Sequence, residues 1–388
     1  MIQRIFPSVR FLLFLPLLVS TFAQTQTAEP SAISLPTAVR VQGSGWWPTK
    51  GSASRDEFAG SSSCALCHFA KASSFKNAAM SHASVPPSQV RALREHNHLL
   101  FSIGDYSYQL LTGGDRSTLN VSEGPQSISA DLKWAFGSGH MGQTYIYQKD
   151  GQFYESHLSF FVKPQALAVT PGQDRSAPKT LDEALGRLQE PSEIKRCFDC
   201  HTTASTTSDQ FDPEHAFWGV TCEACHGPGA KHISAMTSGN ANGKQLIFNP
   251  GKLDPVSSVD FCGACHRTWQ DVVGNGLIGA GMLNVRFAPY RLENSRCWTQ
   301  QDARITCTAC HDPHQPLLQE DASYDSRCFA CHRQRAQAKS AKLPGQACPV
   351  AIKDCVSCHM PKYQPPTLHS SFTDHWIRVV KRGAPYPD

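Results

Sequence analysis

One spacing recurs seven times in this chain: two cysteines three positions apart, with a histidine directly after the second. The copies are Cys64-Ala-Leu-Cys67-His68, Cys197-Phe-Asp-Cys200-His201, Cys222-Glu-Ala-Cys225-His226, Cys262-Gly-Ala-Cys265-His266, Cys307-Thr-Ala-Cys310-His311, Cys328-Phe-Ala-Cys331-His332 and Cys355-Val-Ser-Cys358-His359. Scattering 16 cysteines and 17 histidines at random over 388 residues would give about 0.03 copies. Two cysteines at this spacing can add as thioethers to the two vinyl groups of one haem, and the histidine that follows then lies under the iron and ligates it. Zinc also binds C-x-x-C pairs, but it has no need of a histidine after every second cysteine. The expected cofactors are therefore seven haem c groups, with His68, His201, His226, His266, His311, His332 and His359 as proximal ligands.

Haem attachment of this kind takes place outside the cytoplasm, and the start of the chain agrees with that. Arg4 and Arg10 precede the apolar run Phe11–Val19, and small residues follow at Thr21-Phe22-Ala23, so residues 1–23 read as a secretory signal peptide. The run is about half of the ~20 residues that a spanning helix needs. The expectation is an exported chain, periplasmic or extracellular, with no transmembrane segment once processed. The formal charge of +4 is too small to suggest a nucleic-acid partner. Each ferric haem with both propionates ionised would add about −1, so the loaded protein is expected to be acidic.

The motifs and their surroundings resemble the exported multihaem c-type cytochromes, in particular families related to the cytochrome c-554 type. The resemblance is carried by Cys222-Glu-Ala-Cys225-His226-Gly-Pro-Gly, Cys307-Thr-Ala-Cys310-His311-Asp-Pro-His314, Cys355-Val-Ser-Cys358-His359-Met-Pro-Lys362 and Phe372-Thr-Asp-His375. It is specific from residue 197 onward. It implies that the last histidines of the H-D-P-H and F-T-D-H segments are distal ligands. The C-x-x-C-Lys attachment of the related nitrite reductases does not occur, which speaks against that reaction.

Six of the seven motifs fall in residues 197–388. That is too little chain per haem for an ordinary side-chain core. The expected fold is a mostly α and irregular multihaem cytochrome c fold, with a small inserted β-rich segment and haems forming much of the core. The expected organisation is a signal peptide at 1–23, a flexible linker at 24–60 with Trp46-Trp47 as a docking point, a haem 1 module at 61–90, a β-rich segment plus short helix at 91–190, and a six-haem cytochrome domain at 191–388. Thr144–Gln148 and Gln152–Glu155 flank Asp150-Gly151, a hairpin signal. Thr180 and Glu183 stand in capping-box spacing for a helix over 180–189, with Pro191 after its end. Gly137-Ser-Gly139-His-Met-Gly142 matches a dinucleotide-binding pattern but precedes a strand rather than a helix, so it reads as a glycine turn.

Each iron needs a ligand on its other face, and ten histidines lie outside the motifs. The distal candidates are His82, His96, His215, His232, His314, His369 and His375. His98 is the weaker alternative to His96, while His140 and His157 read as packed or exposed imidazoles of the β segment. His314 is three residues from His311 and cannot reach the opposite face of the same porphyrin, so it must serve a neighbouring haem. The same holds for His232 after His226. The unpaired Cys297 and Cys348 are expected to form a disulfide, and Arg378, Lys381 and Arg382 are candidates to pair with propionates.

The expected function is electron transfer along seven mostly bis-His haems, between a redox donor such as a membrane quinol-oxidising complex and an acceptor. Two alternatives stand beside it. One is an oxidoreductase with one open haem acting on a small nitrogen or sulfur compound. The other is a subunit of a haem filament or outer-membrane conduit.

Overall fold

The computed structural model describes residues 53–274, 276–299, 304–332, 348, 350–381 and 383–387. Residues 1–23, expected to be a signal peptide, most of the expected linker with Trp46-Trp47, and Arg382 lie outside the described residues.

Eleven strands fill the stretch between Ser84 and Leu188. Strands β2 (His98–Ile103), β3 (Tyr106–Gly113), β4 (Arg116–Glu123) and β5 (Gln126–Asp131) form an antiparallel meander. In β3 Tyr106, Tyr108 and Leu110 are buried and alternate with exposed residues, the period of two of a half-buried strand. The second sheet runs β1 (Ser84–Val85), β6 (Trp134–Phe136), β7 (Gly142–Lys149), β8 (Gln152–Ser156) and β11 (Gly186–Leu188). The β9 strand (Leu158–Phe161) joins β7, and β10 (Ala166–Val169) joins β9. The two sheets share one apolar cluster that includes Leu93, Tyr108, Leu119, Tyr145, Phe160 and Leu185.

The hairpin expected around Asp150-Gly151 is present: Lys149 pairs with Gln152, and both turn residues have positive φ, 52° and 76°. That is the geometry of a two-residue type I′ turn. Gly137 also has positive φ, and a Cβ there would run into the Gly142 carbonyl, so the glycine pattern at 137–142 is a turn entering β7.

Two expectations need correction. The β segment is not small, because Ser-, Thr- and Gln-rich strands on the meander's exposed face left only one hairpin legible. The helix at 180–189 stops at Leu185. Thr180 caps it by accepting from the Glu183 amide, but the Glu183 carboxylate accepts from Lys179 rather than from Thr180, and residues 186–188 then leave as an edge strand on β8. Pro191 does not close that helix. It opens the next one, Pro191–His201, at a first-turn position where the missing N–H is no loss.

From residue 191 onward the helices are short, and most carry a motif: Pro191–His201, Cys222–His226, Pro255–His266, Cys307–Cys310, Asp325–His332 and Cys355–His359. The first motif follows on Ser61–Ala65, where the His68 amide donates to the Cys64 carbonyl at 2.9 Å. Each motif is thus a helical turn, which places cysteines i and i+3 on one face. Side-chain clusters in this half are small, for example Phe261 with Ala264, and Val272 with Phe287 and Tyr290. One contact with the β half is aromatic. Trp134 and Phe136 meet Phe198 of the second motif edge-on, at 5.1 and 5.0 Å between ring centres.

Candidate functional site

A cavity of about 2820 Å³ runs through this half, and it is lined by cysteines or histidines of all seven motifs. Single small-molecule pockets hold about 300–1,000 Å³, so this space suits several large apolar groups rather than one ligand. Among the described residues no three His, Cys, Asp or Glu side chains converge as they would on a bare metal ion. The motif cysteines, all but Cys197 and Cys331, line the shared cavity instead.

Motifs distant in sequence touch through their sulfurs. The side chains of Cys64 and Cys222 stand against each other, as do those of Cys262 and Cys307, and of Cys328 and Cys355. The Cys200 thiol donates to the Ala264 carbonyl at 3.7 Å, which joins the second motif to the fourth. Burial pushes the Cys225 and Cys310 thiols up to about 11 each, so both are neutral at pH 7.

Three imidazole pairs face each other across the cavity. The ring centres of His68 and His232 are 6.4 Å apart, those of His226 and His314 are 6.1 Å apart, and those of His311 and His375 are 6.2 Å apart. Metal–imidazole bonds of about 2 Å on opposite sides of one ion, plus about 1 Å from each nitrogen to its ring centre, call for centres about 6 Å apart. The spacing therefore fits an iron between the two rings of each pair.

Their outer nitrogens are tied down. The Nδ1 of His226 is bonded to the Phe248 carbonyl at 2.9 Å, that of His232 to Gly243 at 2.8 Å and that of His375 to Thr373 at 3.1 Å. His201 and His359 are held in the same way by the Ala83 and Arg378 carbonyls, at 3.0 and 2.9 Å. Such bonds fix the tautomer and leave Nε2 as the nitrogen that would ligate an iron. Burial, with His311 beside it, pushes His375 down to about 4, and burial also lowers His201, His266 and His311. These rings stay neutral at pH 7, the form that can ligate.

The other four distal candidates do not line the cavity. His82 is exposed, with Nε2 on the Lys76 carbonyl at 2.8 Å. His96 lies in the β half, its Nε2 2.8 Å from the Gln165 amide oxygen. His215 is exposed and paired with Asp212 at 2.7 Å. His369 takes a left-handed turn and packs on Phe161 at 4.6 Å. Among the non-ligand readings, His140 is exposed, and His157 is buried and bonded to Gln173.

The expected disulfide between Cys297 and Cys348 is not formed among the described residues. Cys297 is half-buried near Cys310, whereas Cys348 is exposed and held by the Val350 and Ala351 backbone. Arg378, expected at a propionate, is taken by Asp374 at 2.6 Å.

Comparison with known proteins adds to this geometry. The family model "Cytochrome c554 and c-prime" matches residues 155–227, so the resemblance begins earlier than residue 197. The multiheme cytochrome MtrA of Shewanella baltica (strain OS185) is 26% identical over 227 residues, covering 46% of this chain and 65% of its own length. Both findings point to the multihaem c-type cytochromes, which this chain resembles. This chain spans just under two thirds of that relative. A solved structure, the outer cell wall cytochrome OcwA, overlaps 84% of this chain and 80% of its own at 15% identity and a TM-score of 0.39, too loose a likeness to carry weight.

The motif reading missed the buried carboxylates between the haem-binding segments. Asp325 accepts the amides of Asp354 and Cys355, at 2.7 and 2.8 Å, and so ties the sixth motif to the seventh. Asp271 holds Arg196 of the second motif's helix at 2.7 Å. Glu293 is of another kind: burial, with the Asp260 carboxylate beside it, pushes it up to about 7, and its charge acts on Cys307. Above pH 7 it ionises and places negative charge beside the fourth and fifth motifs, which disfavours the reduced iron. Potentials there are expected to fall as pH rises from 6 to 8, by less than about 59 mV per unit. Potentiometry of Glu293→Gln should show this slope lost.

Proposed function

We propose that this chain carries seven haem c groups and passes electrons along them in an order set by space rather than sequence. The carrying observation is the set of three imidazole pairs in one continuous cavity. Haem c supplies a reversible one-electron centre when bound. The chain decides which centres are neighbours. His232, which follows the third motif, faces the first motif's His68. His314, after the fifth motif, faces the third motif's His226, and His375, after the seventh, faces the fifth motif's His311. Motifs 1, 3, 5 and 7 thus form a spine. The fourth joins it at Cys307 and brings in the second through Cys200, and the sixth joins at Cys355.

The sulfur pairs of all seven motifs are proposed as attachment points: Cys64 and Cys67, Cys197 and Cys200, Cys222 and Cys225, Cys262 and Cys265, Cys307 and Cys310, Cys328 and Cys331, and Cys355 and Cys358. No helix among the described residues is long and apolar enough to cross a membrane. An exported location and a donor among membrane quinol-oxidising complexes belong to this proposal. Intact-mass spectrometry of protein made with haem-attachment machinery is expected to show seven haems per chain. Six or fewer in a homogeneous preparation would refute the count.

One observation favours a second reading. The three facing pairs take up the proximal histidines of the first, third and fifth motifs, and those of the second, fourth, sixth and seventh stand outside these pairs. An open iron at one of them would suit chemistry on a small molecule, and a high-spin signal in electron paramagnetic resonance of the oxidised protein would reveal it.

A further inference from the structure

Glu223 occupies the first variable position of the third motif, between Cys222 and Cys225, yet its side chain is 1% exposed. Its carboxylate accepts three backbone N–H groups: Ala59 and Gly229 on Oε1 and Gly60 on Oε2, each at 2.8 Å. A buried carboxylate is tolerated only where its lone pairs are met in this way. The donors come from two separate segments. Gly60 caps the N-terminus of Ser61–Ala65, the helix that leads into the first motif, and Gly229 caps Ala230–Thr237, the helix that carries His232. Those are the two segments whose imidazoles, His68 and His232, face each other at 6.4 Å. The Cys222 thiol adds a link to Ser61 at 3.6 Å.

We propose that Glu223 is the positioning residue for ligation of the first motif's iron, acting from within the third motif by fixing the starts of both helices that bring His68 and His232 together. This rests on the reading of His68 and His232 as an axial pair. A carboxylate suits the task because it presents acceptors on both oxygens. A glutamine keeps the length but offers one acceptor, and turns its NH₂ group toward backbone donors that are then left unsatisfied. Gly229 matters for the same reason, since a Cβ there would stand 3.2 Å from Glu223 Oε1.

The test compares Glu223→Gln, Gly229→Ala and His232→Ala in the full haem-loaded chain by intact mass, electron paramagnetic resonance and potentiometry. Glu223→Gln is expected to keep the wild-type haem count, to lose or shift one low-spin signal, and to move one potential, the same one that responds to His232→Ala. Gly229→Ala, which keeps the charge and crowds the carboxylate, should move that signal in the same direction by less; it carries the test if Glu223→Gln fails to fold. If His232→Ala converts one haem while both other variants match wild type in signal and potential, the role of Glu223 is refuted and the axial pair stands. If His232→Ala itself leaves every signal in place, the axial pair falls and the role built on it falls too.

Discussion

A His314→Ala variant is expected to keep every haem and to turn one of them from low-spin to high-spin. Attachment needs only the C-x-x-C-H residues, so the mass should not change. The lost ring is the one that faces His226 at 6.1 Å, so the affected haem should be the third, not the fifth to which His314 is adjacent in sequence. The local structure favours this geometry. Asp312 accepts the His314 amide at 2.9 Å and its Nδ1 at 3.2 Å, which turns the ring away from His311. Pro313 restricts the backbone between the two imidazoles. The third haem's potential should rise when water or nothing replaces the imidazole, and transfer between the first and fifth motifs should slow. The check is paramagnetic resonance of His314→Ala beside His226→Ala. An all-low-spin spectrum with no replacement ligand would remove His314 from the spine.

Without haem, the half of the chain beyond residue 191 is expected not to hold its fold, while the β half survives. At about 24 cal/mol per Å³ of empty apolar space, leaving even a fifth of the 2820 Å³ cavity unfilled would cost on the order of 10 kcal/mol. That is comparable with the whole stability of a domain, about 5–15 kcal/mol. The β half has its own apolar cluster across both sheets and does not depend on that space. Limited proteolysis of chain made without haem attachment should therefore degrade the motif-rich half and leave a resistant fragment containing Ser84–Leu188. Sharp tertiary signals from the haem-free motif half would show that its side chains suffice as a core.

The two halves were legible to different degrees for one physical reason, the range of the interactions involved. Each motif is a single helical turn, and attachment would depend only on residues i, i+3 and i+4, so the proposed haem-binding cysteines and proximal histidines are read from neighbouring positions. The Asp150-Gly151 hairpin was equally local, because a two-residue turn demands positive φ at both positions. The helix expected over 180–189 was overestimated because a capping signal marks a start, whereas its end at Leu185 is decided by β8, which draws residues 186–188 into the sheet.

Distal partners are not local. H-D-P-H spacing ruled out His311 as the partner of His314, yet nothing along the chain pointed to His226. His82 and His369 looked as eligible as His232 or His375, with His215 and His96 ranked behind them, and only packing places these four outside the cavity. The same is true of Glu223, whose burial depends on two segments that meet it from residues 59–60 and 229. The sequence alone carries the proposal of what the chain binds and at which residues it would be attached, since covalent attachment is written in adjacent positions. Tertiary structure alone decided which motifs are neighbours and which imidazoles face each other, since those pairings close loops of tens of residues and are selected by packing rather than by spacing.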